Sequence, residues 1–146
     1  MRTIKDFFGI QELVCKHVYD KHKEGAWTFF DPRLIAVLLF IRQAIGKAIT
    51  INTWHVGGSY SQRGLRCNLC SLVADKTKVG KLYVSAHQQG MAVDFDVKGM
   101  SAEAVRMWLH NNAYRLPYNI RVEKDVTWVH IDVRNDTNEK IIYFKG

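Results

Sequence analysis

The stretch Ser85-Ala86-His87-Gln88-Gln89-Gly90-Met91-Ala92-Val93-Asp94 decides how the chain is to be read, and Trp128-Val129-His130-Ile131-Asp132 answers it. Small and polar residues at 88–90 suit a turn, and residues 91–97 alternate as a strand does. His87, just before the turn, and Asp94, inside the strand, can therefore face one point. His130 lies in a second alternating run, residues 127–133, able to lie beside the first. Two imidazoles and one carboxylate are the ligand set of an open zinc site, in which water takes the fourth position. A sheet would hold such ligands rigidly. Asp132, in phase with His130, is placed to orient an imidazole.

Outward from this pair of motifs, the N-terminal part predicts an amphipathic helix over 10–22, with Ile10, Leu13, Val14 and Val18 at helical spacing. Asp31-Pro32 reads as an N-cap followed by proline at the first helical position. The helix it opens runs to Ile45, with Leu34, Leu38, Ile41 and Ile45 on one stripe and Gly46 as its stop. Residues 48–54 alternate as a strand. From 55 to 80 the pattern disappears, which in a compact domain marks a functional loop, shortened if a helix forms around 69–74. Regular structure is expected again at 81–84. Gly99 and Ser101 break and cap a helix over 102–113 that buries Val105, Trp108 and Leu109. Strands over 120–123, 127–133 and 140–144 complete the chain, which shows no repeat, low-complexity tract or linker.

At 146 residues the chain predicts a single domain, 1–146, able to bury its core without disulfides. A hydrophobic content of 47% is that of a globular protein. The net charge of +7 suits an anionic partner, whether nucleic acid, a membrane surface or an acidic cell-wall polymer. Because the basic residues are spread along the chain, nucleic acid is not the expected partner. No apolar run is long enough to insert in a membrane, and the N-terminus is not expected to act as a secretory signal. Cys15, Cys67 and Cys70 are too few and too uneven for a disulfide framework. Cys67-Asn68-Leu69-Cys70 has no visible companion pair, so reduced thiols in a packed loop are expected there. His17, His22 and His110 are expected to be surface or satisfied histidines, and His55 at most to line a cleft.

Ser85-x-His87-x-x-Gly90-x-Ala92-x-Asp94 followed by Trp128-Val129-His130-Ile131-Asp132 resembles the zinc-peptidase family of D-alanyl-D-alanine carboxypeptidases, D-Ala-D-Ala dipeptidases and phage L-alanyl-D-glutamate endopeptidases, with the hedgehog signalling domain as a structural relative. The resemblance covers residues 49–134. It implies an α+β fold with helices packed on one face of a small antiparallel sheet. It also implies one zinc ion per chain on His87, Asp94 and His130, and a peptide of bacterial peptidoglycan as substrate. Zinc would lower the pKa of water to about 7 and polarise the scissile carbonyl.

A carboxylate base must then take a proton and return it to the leaving amine. Many members place that acid three residues before the second histidine, where this chain has Thr127. Others place it about six before, at Lys124, which Glu123 and Asp125 flank. Glu123 is the expected base and Asp125 the reserve. Members commonly hold a substrate carboxylate with an arginine ahead of the first histidine, a role open to Arg63 and Arg66. Ser85 is placed to bond the substrate or orient the site.

The resemblance implies a hydrolase made in the cytoplasm and acting on the cell wall once released, as a phage lysis enzyme does. A monomer is expected, with the oligomeric state left open. The alternative is a noncatalytic domain that keeps the metal and binds cell wall or a protein partner.

Overall fold

The computed structural model describes residues Met1–Gly146. Where one amphipathic helix is expected over 10–22, the chain forms two, α1 (Ile10–Leu13) and α2 (Lys16–His22). The break has a long-range cause. Val14 pairs with Leu65 as an isolated parallel bridge. The Leu65 N–H donates to the Leu13 carbonyl (2.8 Å) and the Cys15 N–H to the Leu65 carbonyl (3.2 Å), so those backbone groups leave the helix ladder. α3 (Pro32–Ile45) follows as the capping residues predict. The Asp31 side chain accepts from the Arg33 N–H, and Gly46 ends the helix in the left-handed region at φ 70°. α4 (Ser71–Lys78) forms inside the segment where the sequence shows little periodicity, and α5 (Ala102–Asn111) is capped by Ser101.

The sheet has five strands: β1 (Ile49–Thr50), β2 (Ala92–Val97), β3 (Ile120–Glu123), β4 (Val129–Asp132) and β5 (Ile141–Phe144), in the order β1-β2-β4-β3-β5. The expected strand over 48–54 shrinks to β1, and residues 81–84 form none. Helices and a small sheet make an α+β fold, but the sheet is mixed rather than antiparallel, because β3 and β5 run parallel. The reason lies in residues 133–140. Asn135 Nδ2 donates to the carbonyls of Ile120 (2.8 Å) and Glu139 (2.9 Å), carrying the chain back to the start of β3. From there β5 can only run in the same direction.

Strand alternation sorts the two faces of the sheet. Val93, Phe95, Val97, Ile120, Val122, Val129 and Ile131 are buried in one cluster with Leu34, Val37, Leu38 and Ile41 of α3 and Val105 and Leu109 of α5. The opposite face carries Asp94 and Asp96 on β2, His130 and Asp132 on β4, and Arg121 and Glu123 on β3. Pairing of Asp94 with His130 and of Arg121 with Asp132 sets these side chains next to one another.

Gly64, beside the Val14–Leu65 bridge, is required by close approach, since a β-carbon there would collide with the Leu13 carbonyl oxygen. Gly64→Ala is therefore expected to push this segment off α1. Backbone against backbone leaves little room to relax, so a destabilisation of about 1–3 kcal/mol should appear in denaturant unfolding. Unchanged stability would mean that the two segments do not meet this closely.

Candidate metal centre

Ser85 and Gln88 close the turn that presents the first histidine. The Ser85 N–H donates to Gln88 Oε1 (2.9 Å) and the Gln88 N–H to Ser85 Oγ (3.2 Å). Gly90 follows at φ 68°, where a β-carbon would also strike the Phe29 carbonyl. His87 is then fixed from the loop beside it. Its Nδ1 lies 2.9 Å from the Gly64 carbonyl, and its own carbonyl accepts from the Arg66 N–H at 3.3 Å. A carbonyl can only accept, so Nδ1 carries the proton and Nε2 keeps its lone pair.

Nε2 lies 3.4 Å from Asp94 Oδ1, and the same oxygen lies 2.7 Å from His130 Nδ1. One ligand atom from each of His87, Asp94 and His130 thus comes within 4.8 Å of the others, and all three residues are buried. The remaining imidazole nitrogen, His130 Nε2, donates to Asp132 Oδ2 at 2.8 Å. Asp132 is in turn gripped by both ends of the Arg121 guanidinium, at 2.8 and 2.9 Å. Each imidazole therefore has one nitrogen committed to an orienting acceptor and the other aimed at a shared point, the arrangement that holds histidine as a metal ligand.

In the metal-free protein the electrostatics prepare His87 as a ligand, whereas His130 holds a proton that an ion would displace. Burial depresses the His87 pKa and outweighs the pull of Asp94, so the ring stays neutral. Burial opposes the Asp94 carboxylate, but the hydrogen bond from His130 overcomes it and keeps the group ionised, below the usual carboxylate range. For His130, burial disfavours the charged ring, yet the bonds to Asp132 and Asp94 win and lift its pKa to about 9.

A pH dependence follows for the metal-free protein. A pKa raised from 6.5 to about 9 contributes stability on the order of 3 kcal/mol, complete below about pH 6.5 and lost as pH climbs through 9. Thermal melts of metal-free protein are expected to fall between pH 7 and 9. Uptake of a metal must displace the Nδ1 proton, so apparent affinity should rise by up to about tenfold per pH unit over that range. A flat affinity profile would show His130 already neutral.

The ligands open onto a cleft of about 460 Å³ that Ser85, Arg66, Glu123 and Trp128 also line. Continuing the β3–β4 register puts Glu123 opposite His130, on the same face. Asp125, at φ 64° in the connecting turn, lines a different cleft with Glu103, Arg106 and Tyr143 and pairs loosely with Lys145. The structure thus brings Glu123 to the ligands and leaves Asp125 away from them.

Of the two arginines, Arg66 reaches the centre, with its guanidinium 3.4 Å from Asp94 Oδ2 and its Nε bonded to the Gln62 carbonyl at 2.6 Å. Arg63 is held by Asp96 at 3.0 Å and lies over the Tyr60 ring. It lines a neighbouring cleft of about 390 Å³, which shares Arg66, Asp94 and Trp128 with the first.

Sequence reading missed the arginines that build the walls. Arg106, buried on α5, donates to the carbonyls of Trp128 (3.1 Å) and Val126 (3.0 Å) and pins the β3–β4 turn. Arg134 donates to the Val84 carbonyl at 2.8 Å and also bonds Gln89, holding the His87 turn to the end of β4. Only the partners, far off in sequence, distinguish these arginines from surface charges.

A second group of metal-capable side chains, Cys15, His17, Cys67 and Cys70, lies outside this cleft, so the chain offers two places for an ion where the sequence suggests one. No helix is long and apolar enough to cross a membrane. Compared with protein-family profiles, curated proteins and solved structures, the chain finds no match.

Proposed function

We propose that the chain is a zinc-dependent peptidase of the D-alanyl-D-alanine carboxypeptidase and L-alanyl-D-glutamate endopeptidase kind, hydrolysing an amide in the stem peptide of bacterial peptidoglycan. The observation that carries this reading is the convergence of His87 Nε2, Asp94 Oδ1 and His130 Nδ1 on one point at the floor of an open cleft, with the far side of each imidazole tied to Gly64 or Asp132. Two histidines and one carboxylate fit zinc and leave a position for substrate. When bound, zinc supplies Lewis acidity toward a carbonyl and toward water.

The remaining work falls to the chain's own residues. Glu123, on the ligand face of β3, takes a proton from the attacking water and returns it to the departing amine. Arg66 offers a planar donor fork to a substrate carboxylate next to the scissile bond. Trp128 walls both clefts, so a peptide lying across them passes over the ligands. The +7 charge suits approach to an anionic wall, on which the protein acts once released from the cell.

The test is amine release from purified peptidoglycan by metal-loaded protein, with the new termini identified by mass spectrometry. New D-alanine or stem-peptide termini are expected. A second reading, a metal-holding domain that binds wall peptides without cutting them, draws on Thr127 standing where many members of that family have an acid. Metal-loaded protein that sediments with peptidoglycan and releases no amines from several wall types would replace the first reading with the second.

A further inference from the structure

Cys15 is the N-cap of α2 and His17 lies in its first turn, just after the break from α1, and Cys67 and Cys70 lead into α4, with Cys70 at its N-cap position. The Val14–Leu65 bridge brings these distant segments together. One ligand atom from each of the four residues lies within 4.8 Å of the others. A tetrahedral zinc with bonds of about 2.3 Å to sulfur and 2.0–2.1 Å to nitrogen holds its sulfurs about 3.8 Å apart and sulfur about 3.6 Å from nitrogen. Here Cys67 Sγ and Cys70 Sγ are 3.9 Å apart, and His17 Nδ1 lies 3.5 Å from Cys67 Sγ and 3.9 Å from Cys70 Sγ.

Two further features favour metal over thiols merely packed in a loop. The Leu69 N–H is directed at Cys67 Sγ (3.4 Å), so the backbone of the Cys67–Cys70 turn holds that sulfur in place as an acceptor. His17 is exposed, yet its ring is turned onto the sulfurs.

We propose that Cys15, His17, Cys67 and Cys70 form a second zinc site, closed and structural, that staples α1 and α2 to the loop carrying Gly64 and Arg66. Three thiolates and an imidazole select a soft-to-borderline ion over magnesium or calcium, and four protein ligands leave no position for substrate. Cys67 is three residues beyond Gly64, whose carbonyl orients His87, so the staple braces the loop from which the first centre is assembled. The inference stands apart from the peptidase reading, since it uses none of the residues of that cleft.

The experiment is zinc X-ray absorption on wild-type protein purified under reducing conditions, with elemental analysis of wild type, His87→Ala and His17→Ala. Sulfur at about 2.3 Å from zinc and about two zinc ions per chain are expected in wild type, falling to about one, with a sulfur-rich shell, in His87→Ala. His17→Ala, at an exposed position, should lose about one zinc per chain and weaken the sulfur signal. The thiols of the zinc-loaded wild type should resist a thiol reagent until a chelator is added. A zinc shell of nitrogen and oxygen alone, or three thiols that react at once in zinc-loaded protein, overturns the proposal. Because both decisive readouts use wild type, a variant that fails to fold leaves the outcome clear. Sulfur-bound zinc without peptidase activity would sustain this site and sink only the peptidase reading.

Discussion

His87→Ala is expected to purify with about one metal ion fewer per chain than the wild type and to release no amines from peptidoglycan above background. His87 contributes a buried, neutral Nε2 already aimed at Asp94 Oδ1, and nothing else on the loop can replace it. Without it the centre keeps only Asp94 and His130, which bond to each other at 2.7 Å and have little need of an ion. Stability should fall as well, because a ligand at a hundredfold over its dissociation constant stabilises the fold by about 2.7 kcal/mol, and that contribution disappears. With the cysteine site already filled, further zinc should raise the melting temperature of the wild type through this centre and leave that of His87→Ala unchanged. Full metal retention with intact cleavage would remove His87 from the centre altogether.

Glu123→Gln should separate binding from chemistry. The amide keeps the size of the side chain on β3 but cannot accept a proton as the carboxylate does, so turnover should drop by about 10²–10⁴ while metal content stays at the wild-type value. Substrate binding, followed by sedimentation with peptidoglycan, should change little. Asp125→Asn, in another cleft, serves as the companion control and should cleave like the wild type. If Glu123→Gln cleaves normally, the proton is handled by another group, and if it loses metal, Glu123 is itself a ligand.

Much of the first centre is written in local pattern. Period-two alternation places Asp94, His130 and Asp132 on the same side of their strands, and that face is the one the sheet presents to the cleft. The α3 boundaries are equally local, since Asp31, Pro32 and Gly46 act on groups within a turn of themselves. The sequence favoured Glu123 and held Asp125 in reserve, because which of them lies beside His130 depends on where the β3–β4 turn begins; Asp125, in the left-handed conformation, lines a different cleft.

By itself, then, the sequence determined an α+β chain with a core helix between identifiable caps, and it put two of the three candidate ligands, Asp94 and His130, in phase on neighbouring strands with His87 on the turn before the first of them, because periodicity and capping act over one or two turns. The tertiary structure alone decided the rest. It split the N-terminal helix at Val14, ran β5 parallel to β3, clamped Asp132 with Arg121, and gathered Cys15 and His17 against Cys67 and Cys70. The physical reason is common to all four. Each depends on hydrogen bonds or side-chain contacts between groups that only the folded chain brings together, and no local pattern in residues 10–22 signals that residue 65 will take the backbone partners of Leu13 and Cys15.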